Sequence, residues 1–426
     1  MLMIKGLVIL LCRTTPIVRR VNMEVERQFI PVILGGNRGA YSLARAMHEA
    51  YQIPSELALK AEVGPVMDSQ IVNYHFYPDI RENFETCMND LVRELEDKYP
   101  NLKKIVFGSE DWYVEHIIQY RKVFPDKWTV PYVDMSTLKK AVDKARFYEM
   151  CEKIGVAYPK TWTVKEPILP KDAKGRLVVK PAITPSYQNL KFKGKAKVYF
   201  CENAEEAQNC LTLMRNGGYP DAFIIQEWIE GSDSDQAVVT CYRSIHDCQV
   251  KLLSFGRILV EDHSKGGVGN HLVVLTENDH SDVFEQVKKL MEAFDFTGFA
   301  NFDLIYDKKR GEFVFFELNP RLGVSNYYVT AGGQNVARYY IEDYLYNRPV
   351  ELSAQTTPHL FTLLPKALLL YLLRNSGAKR LVKMLYKNGD VSHPLDYKYE
   401  SSAKRKRYVF LSKINFYRKL FKAHQI

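Results

Sequence analysis

The sequence predicts an α/β first domain, then α+β lobes, then a basic helical end, and three observations predict it. From Phe29 the chain reads FIPVILGG, an apolar run such as a doubly covered parallel strand needs, and GNRGA turns it into the amphipathic stretch YSLARAMHEAY. The same strand-to-helix rhythm returns over residues 103–121 as KKIVFGSEDWYVEHIIQYR, the pattern of a doubly wound sheet. Beyond residue 160 the pattern changes to short strands (RLVVKPA, KAKVYF, AFIIQEWIEG) and then to two consecutive strands, ANFDLIYD and GEFVFFELN.

The remaining elements follow in order. After WTVPYVD, a helix over LKKAVDKARFYEMCEKIG stops at Gly155, with Pro159 beyond it. A second helix, EQVKKLMEAFDF, precedes the paired strands, and from about residue 360 the chain is helix-rich, basic and aromatic. The 426 residues suffice for two or three domains. With 26% charged residues the chain reads as a globular enzyme, not a fibre or a disordered segment.

Seven cysteines with no CxxC pair point to reduced thiols and a cytosolic setting. The net charge of +9 is uneven: residues 351–426 hold 15 Lys/Arg against 4 Asp/Glu. Such a tail suits a phosphate-bearing substrate or the anionic inner membrane surface, or simply forms a solvated basic face. No stretch approaches the roughly 20 apolar residues needed to span a bilayer. Ile4–Cys12 is short and followed by Arg13, Arg19 and Arg20, a poor signal peptide. Patterned sequence begins near Met23, so residues 1–22 read as an extension outside the fold. FTLLPKALLLYLLRN reads better as a core helix than as a lipid-facing one.

The strongest local signal is NFDLIYDKKRGEFVFFELNPR, residues 301–321, a hairpin with its turn near Lys309–Gly311. A turn centred on Arg310 sets Asp303 opposite Glu317, and alternation puts Glu317, Asn319 and Arg321 on one face. Facing carboxylates repel unless a cation lies between them. Oxygen ligands from Asp303, Glu317 and Asn319 suit Mg²⁺, with Mn²⁺ an alternative, and Arg321 is placed to offset charge on a transferring phosphoryl group. Lys180 ends the apolar strand LVVKP, where an uncompensated charge is costly, and Lys144 starts a helix; both suit phosphate. The end of FIIQEWIEG can offer backbone groups to an adenine ring. The GGNRG turn lacks GxGxxG spacing, which weighs against a nicotinamide-dependent oxidoreductase.

In chain order, Lys144, VVKP with Lys180, IIQEWIEG, and ELNPR preceded by Asp303 resemble the ATP-grasp superfamily over roughly residues 29–346. The resemblance implies an ATP-grasp fold: a Rossmann-like domain over residues 23–130, a small lobe with its linker helix over 131–228, a large lobe with the metal site over 229–350, and a basic helical region over 351–426. It implies ATP with Mg²⁺ as cofactors. By position, Lys144 and Lys180 resemble the phosphate-contacting lysines, Glu227 and Ile229 the adenine hinge, and Asp233 the ribose acid. Asp303, Glu317 and Asn319 resemble the metal ligands, and Arg321 and Lys180 the catalytic cations. The chain departs from the family in its flap: AITPSYQNLKFKGKAK carries one glycine, Gly194, and Lys191, Lys193 and Lys195 are candidates to replace the Gly-rich loop.

FIPVILGGNRGAYSLARAMHEAY, IGVAYPKT, VGNHLVVL, TGFANFDLIYD and the basic aromatic tail are together similar to D-aspartate ligases of Gram-positive bacteria. That narrower resemblance implies joining the β-carboxylate of D-aspartate to a lysine side-chain amine on a nucleotide-linked peptidoglycan pentapeptide. It implies no nucleic-acid partner and a cytoplasmic enzyme working near the inner membrane face. Gly36, Arg38, Gly332, Gly333 and Asn335 are the substrate-site candidates. Another ATP-grasp ligase, of dipeptide or natural-product type, is the alternative, and a catalytically dead binding module is a remote one.

Overall fold

A computed structural model describes residues 29–423, apart from 184, 185, 188, 265, 266, 268 and 354–356. The expected extension over residues 1–22 lies outside the described residues. The first domain builds β1 (Phe29–Leu34), α1 (Arg38–Tyr51), β2 (Ser55–Leu59), β3 (Val72–Phe76), α2 (Phe84–Lys98), β4 (Lys103–Gly108), α3 (Asp111–Gln119) and β5 (Trp128–Thr129). Its five strands are parallel in the order β3-β2-β1-β4-β5, so the winding reverses between β1 and β4. Every residue of β1 is buried, because helices cover both faces of the sheet. The turn after β1 needs its glycine: Gly35 has φ +98°, and a Cβ there would clash with the Ser109 and Tyr113 side chains.

Helices α4 (Met135–Val142) and α5 (Lys144–Ile154) lead into the small lobe. Asp134 and Asp143 cap them by accepting backbone N–H groups. The lobe is a four-stranded sheet of β6 (Thr161–Val164), β7 (Leu177–Pro181), β8 (Tyr199–Cys201) and β9 (Phe223–Glu227), ordered β6-β9-β7-β8 and backed by α6 (Ala204–Asn216).

The large lobe contributes β10 (Gln236–Arg243), β11 (Val250–Glu261), β12 (His271–Glu277), α7 (Ser281–Ala293), β13 (Gly298–Asp307), β14 (Glu312–Asn319), α8 (Tyr327–Ala331) and α9 (Val336–Tyr340). The C-terminal region adds β15 (Leu360–Thr362), α10 (Lys366–Leu372), α11 (Ala378–Asn388), β16 (Val391–Ser392) and α12 (Ala403–Lys422). The seven-stranded sheet runs β14-β13-β10-β11-β12-β15-β16. One apolar core joins α1 of the first domain to α8, α9 and the C-terminal helices, and it includes Leu363, Leu364, Leu368 and Leu369. FTLLPKALLLYLLRN therefore folds as a short strand and a core helix, and no described helix is long and apolar enough to cross a membrane.

Candidate active site

Strands β13 and β14 pair with Asp303 opposite Glu317 and Asn301 opposite Asn319. The register shifts just beyond Asp303, where Phe316 is an extra residue on β14. That bulge decides which side chains face the site. In an unbroken strand Phe315 and Glu317 would share a face; here Phe315 packs with Leu304 in the core while Glu317 lines a cavity of about 980 Å³. The turned-out carbonyl of Phe316 accepts a hydrogen bond from the Tyr148 hydroxyl at 2.6 Å, and Lys180 Nζ donates to the same hydroxyl at 3.0 Å. The bulge thus ties the hairpin to the small-lobe lysine.

Asn319 Nδ2 donates to Asp303 Oδ2 at 3.0 Å and to Glu317 Oε1 at 3.4 Å, so the three predicted metal ligands stand together. Lys144 Nζ lies 3.0 Å from Glu317 Oε2. The Lys144 charge holds the Glu317 carboxyl far below the usual range, whereas burial and the neighbouring Glu317 charge push Asp303 up. Burial and the nearby Lys144 charge pull Lys180 down to about 7. A carboxyl raised beside a fixed like charge favours a cation between them, and two carboxylates with one amide oxygen match the hard-ligand chemistry of Mg²⁺. The donor set fits the metal.

The first domain closes the cavity from the β1/β4 switch point, where open α/β sheets bind ligands. Arg38 at the start of α1 and Asp111 at the start of α3 both line it. Asp111 grips Arg321 with both carboxylate oxygens, at 2.5 and 2.8 Å. Burial opposes the Arg321 charge, but Asp111 outweighs it and raises its pKa. Arg38 has no hydrogen bond or ion pair to another described residue, and burial lowers its pKa. Gly108 lets α3 approach: a Cβ there would lie 2.7 Å from the Val114 backbone nitrogen.

Of the predicted residues, Arg38, Lys144, Asp303, Glu317, Asn319 and Arg321 line this cavity, with Lys180 just behind it. Glu227 ends β9 and Ile229 follows it in the crossing to β10, and neither lines the cavity. Glu227 accepts from Lys160 N at 2.6 Å and pairs with Arg310. Asp233 accepts from the Glu261 backbone N–H and contacts His263, behind the cavity-lining His271. Gly36 sits among Leu59, Val63 and Val66. Gly332 and Gly333 end α8, and Asn335 Nδ2 donates to Ala46 O, which docks the first domain on the large lobe. None of these four lines the cavity. In the flap segment Lys197 lines the wall, while Lys195 donates to Leu190 O and Lys191 and Lys193 are exposed. Asp111, Tyr148, Lys197 and His271 were not singled out from the sequence. Asp111 alone carried a readable signal, as an acid opening a helix at the carboxyl end of a central parallel strand.

A parallel-sheet domain set against two lobes, with paired acids, buried lysines and an Asp111-held arginine at their junction, defines a class of phosphoryl-transferring ligases. Residues 141–325 match the ATP-grasp domain model. The chain belongs to the ATP-grasp superfamily, whose members bind ATP with Mg²⁺, and it is an ATP-dependent carbon–nitrogen ligase. It is 30% identical over 420 residues to the D-aspartate ligase of Enterococcus faecium (strain Aus0004), covering 94% of this chain and 98% of that protein. Among solved structures it resembles the biotin carboxylase domain of Hydrogenobacter thermophilus 2-oxoglutarate carboxylase in complex with MgADP (TM-score 0.59, 15% identity, 78% of this chain and 74% of that one). It also resembles an L-amino acid ligase from Bacillus licheniformis (TM-score 0.55, 16% identity, 78% of each chain).

Proposed function

We propose that this ligase activates the β-carboxylate of D-aspartate as an acyl phosphate and couples it to the lysine side-chain amine of a nucleotide-linked peptidoglycan pentapeptide, in the cytoplasm. The observation that carries the reading is the convergence of Asp303, Glu317, Asn319, Lys144 and Arg321 on one cavity that the first domain enters with Arg38. The near full-length relationship to a D-aspartate ligase supports the donor. Bound MgATP supplies the transferable phosphoryl group. Asp303, Glu317 and Asn319 would hold the metal, Mg²⁺ or Mn²⁺, and Lys144 and Lys180 would offset phosphate charge. Lys180, held near neutrality by burial, gains its proton as a polyanion arrives. Arg321 would offset the charge that builds on the transferring phosphoryl group. Arg38, which pairs with no described acid, would hold the donor's second carboxylate, and Lys197 on the cavity wall would help keep water from the acyl phosphate.

Measuring ADP release across D- and L-amino acids, with the wall precursor as acceptor, tests this. Dependence on D-aspartate supports it. Strict dependence on another acid, or on a simple amino acid as acceptor, overturns the donor or the acceptor respectively. Arg38→Gln is expected to raise KM for the acid about tenfold or more, as losing one charge-assisted carboxylate contact does.

A further inference from the structure

Helix α12 carries two apolar faces. One is used internally: Val409, Phe416 and Leu420 are buried, Arg405 donates to Pro65 O and Met67 O of the first domain, and Lys419 pairs with Asp262 of the large lobe. The other is open. Phe410, Leu411, Ile414, Tyr417 and Phe421 are 62, 49, 46, 40 and 69% exposed. At helical spacing these five fall in a stripe about 120° wide, on the side away from the buried residues. Lys406 and Lys413 border one edge, and Lys404 and Lys422 border the other, with Arg407 and Arg418 inside it. Lys404, Lys406, Arg407, Arg418 and Lys422 make no ion pair to another described residue.

We propose that α12 docks the enzyme flat on an anionic phospholipid surface. An exposed stripe of rings and branched side chains between rows of lysine and arginine matches the headgroup boundary in both respects. The apolar groups enter the acyl margin while the cations reach the phosphates. Charge disfavours a second copy as the occupant, because residues 351–426 carry 15 Lys/Arg against 4 Asp/Glu and two such faces repel. Nucleic acid would meet the cations but offers little to Phe410 and Phe421. No described helix is long and apolar enough to cross a bilayer, and the contact proposed for α12 lies along its surface. The proposal goes beyond the reaction assigned above and does not depend on its donor.

The test is co-sedimentation of the full-length protein with vesicles of phosphatidylcholine alone or mixed with phosphatidylglycerol. Binding to the mixed vesicles only, falling as salt rises, is expected, with the Phe410→Ser/Phe421→Ser variant weakened at least about tenfold. Both side chains are exposed and neither lines the active-site cavity, so ADP release by the variant in solution should match the parent. No binding to anionic vesicles overturns the proposal. So does equal binding by the variant, which would leave charge alone as the cause. A parent dimer that the variant dissolves, seen by light scattering, gives the face to a second copy and also overturns it. Loss of ADP release in the parent would count against the reaction and not against the docking.

Discussion

Replacing Glu317 with glutamine keeps the side-chain volume and removes one charge from the acid pair. At 3.0 Å, and with an effective dielectric of about 20, the Lys144–Glu317 attraction is about 5 kcal/mol before desolvation is counted. Glu317 also faces Asp303 across the ladder, and losing its charge relieves a smaller repulsion, because burial and Glu317 already push the Asp303 carboxyl up. That relief offsets part of the lost attraction, so the substitution should cost stability by less than the roughly 3–5 kcal/mol expected for breaking a buried ion pair from one side. Catalysis has no such offset. The metal loses a carboxylate ligand, and the expected fall in turnover is on the order of 10²–10³ or more, about 3–4 kcal/mol of transition-state stabilisation. ADP release measured against a Mg²⁺ titration, beside a thermal melt, separates the two effects. Turnover within about threefold of the parent at an unchanged Mg²⁺ half-saturation would refute the assignment of the acid pair as the metal site.

Asp111→Asn frees Arg321 from its bidentate grip, and kcat should fall about tenfold with little change in melting temperature; an unchanged kcat would mean Arg321 is held by other contacts. Gly108→Ala forces α3 away from β4, and urea unfolding should report a loss of about 1–3 kcal/mol, with a lower kcat because Asp111, which holds Arg321, moves with the helix. A third prediction concerns pH. The two ring nitrogens of His75 lie 2.8 Å from a Glu56 carboxylate oxygen and 2.9 Å from one of Glu94. Burial opposes the His75 charge, but the two carboxylates outweigh it and raise its pKa. For Glu56 burial is likewise outweighed, by hydrogen bonds from His75, Tyr99 and Asn73, and its pKa falls to about 2. The histidine's contribution is full below its ordinary value of about 6.5 and fades as pH rises, while the glutamate's is full above about 4.5 and fades toward pH 2. Melting temperatures of the parent and Glu56→Gln should therefore differ most between about pH 4.5 and 6.5; a constant difference across that range would show the pair to be uncoupled from titration.

Much of the site was legible before any coordinate. A turn centred on Arg310 puts Asp303 opposite Glu317, as observed, but the observed turn lies half a residue earlier, between the paired Asp307 and Glu312, and would by itself set Asp303 opposite Phe316; the extra residue at Phe316 restores the acid pairing. Lys180 was readable because a cation at a buried strand end needs a partner, whereas Lys144, which by itself reads as a solvated helix residue, was readable from its place in the order of the family motifs. The bulge at Phe316 was not readable, since an inserted residue demands no residue type there. Gly332, Gly333 and Asn335 looked like a binding loop because glycine and asparagine also end and cap helices, which is their use here.

Sequence by itself determined the local elements, the alternation of strand faces, the acid pair and the uneven charge, all of which depend on neighbours within one or two turns of chain. Tertiary structure alone decided that Phe315 and Glu317 part company at the bulge, and that Tyr148 joins Phe316 to Lys180. It also decided that Asp111, some two hundred residues away, holds Arg321. Those contacts arise where three separately folded sheets meet, and spacing along a chain carries no record of which surfaces will face each other once their cores are buried.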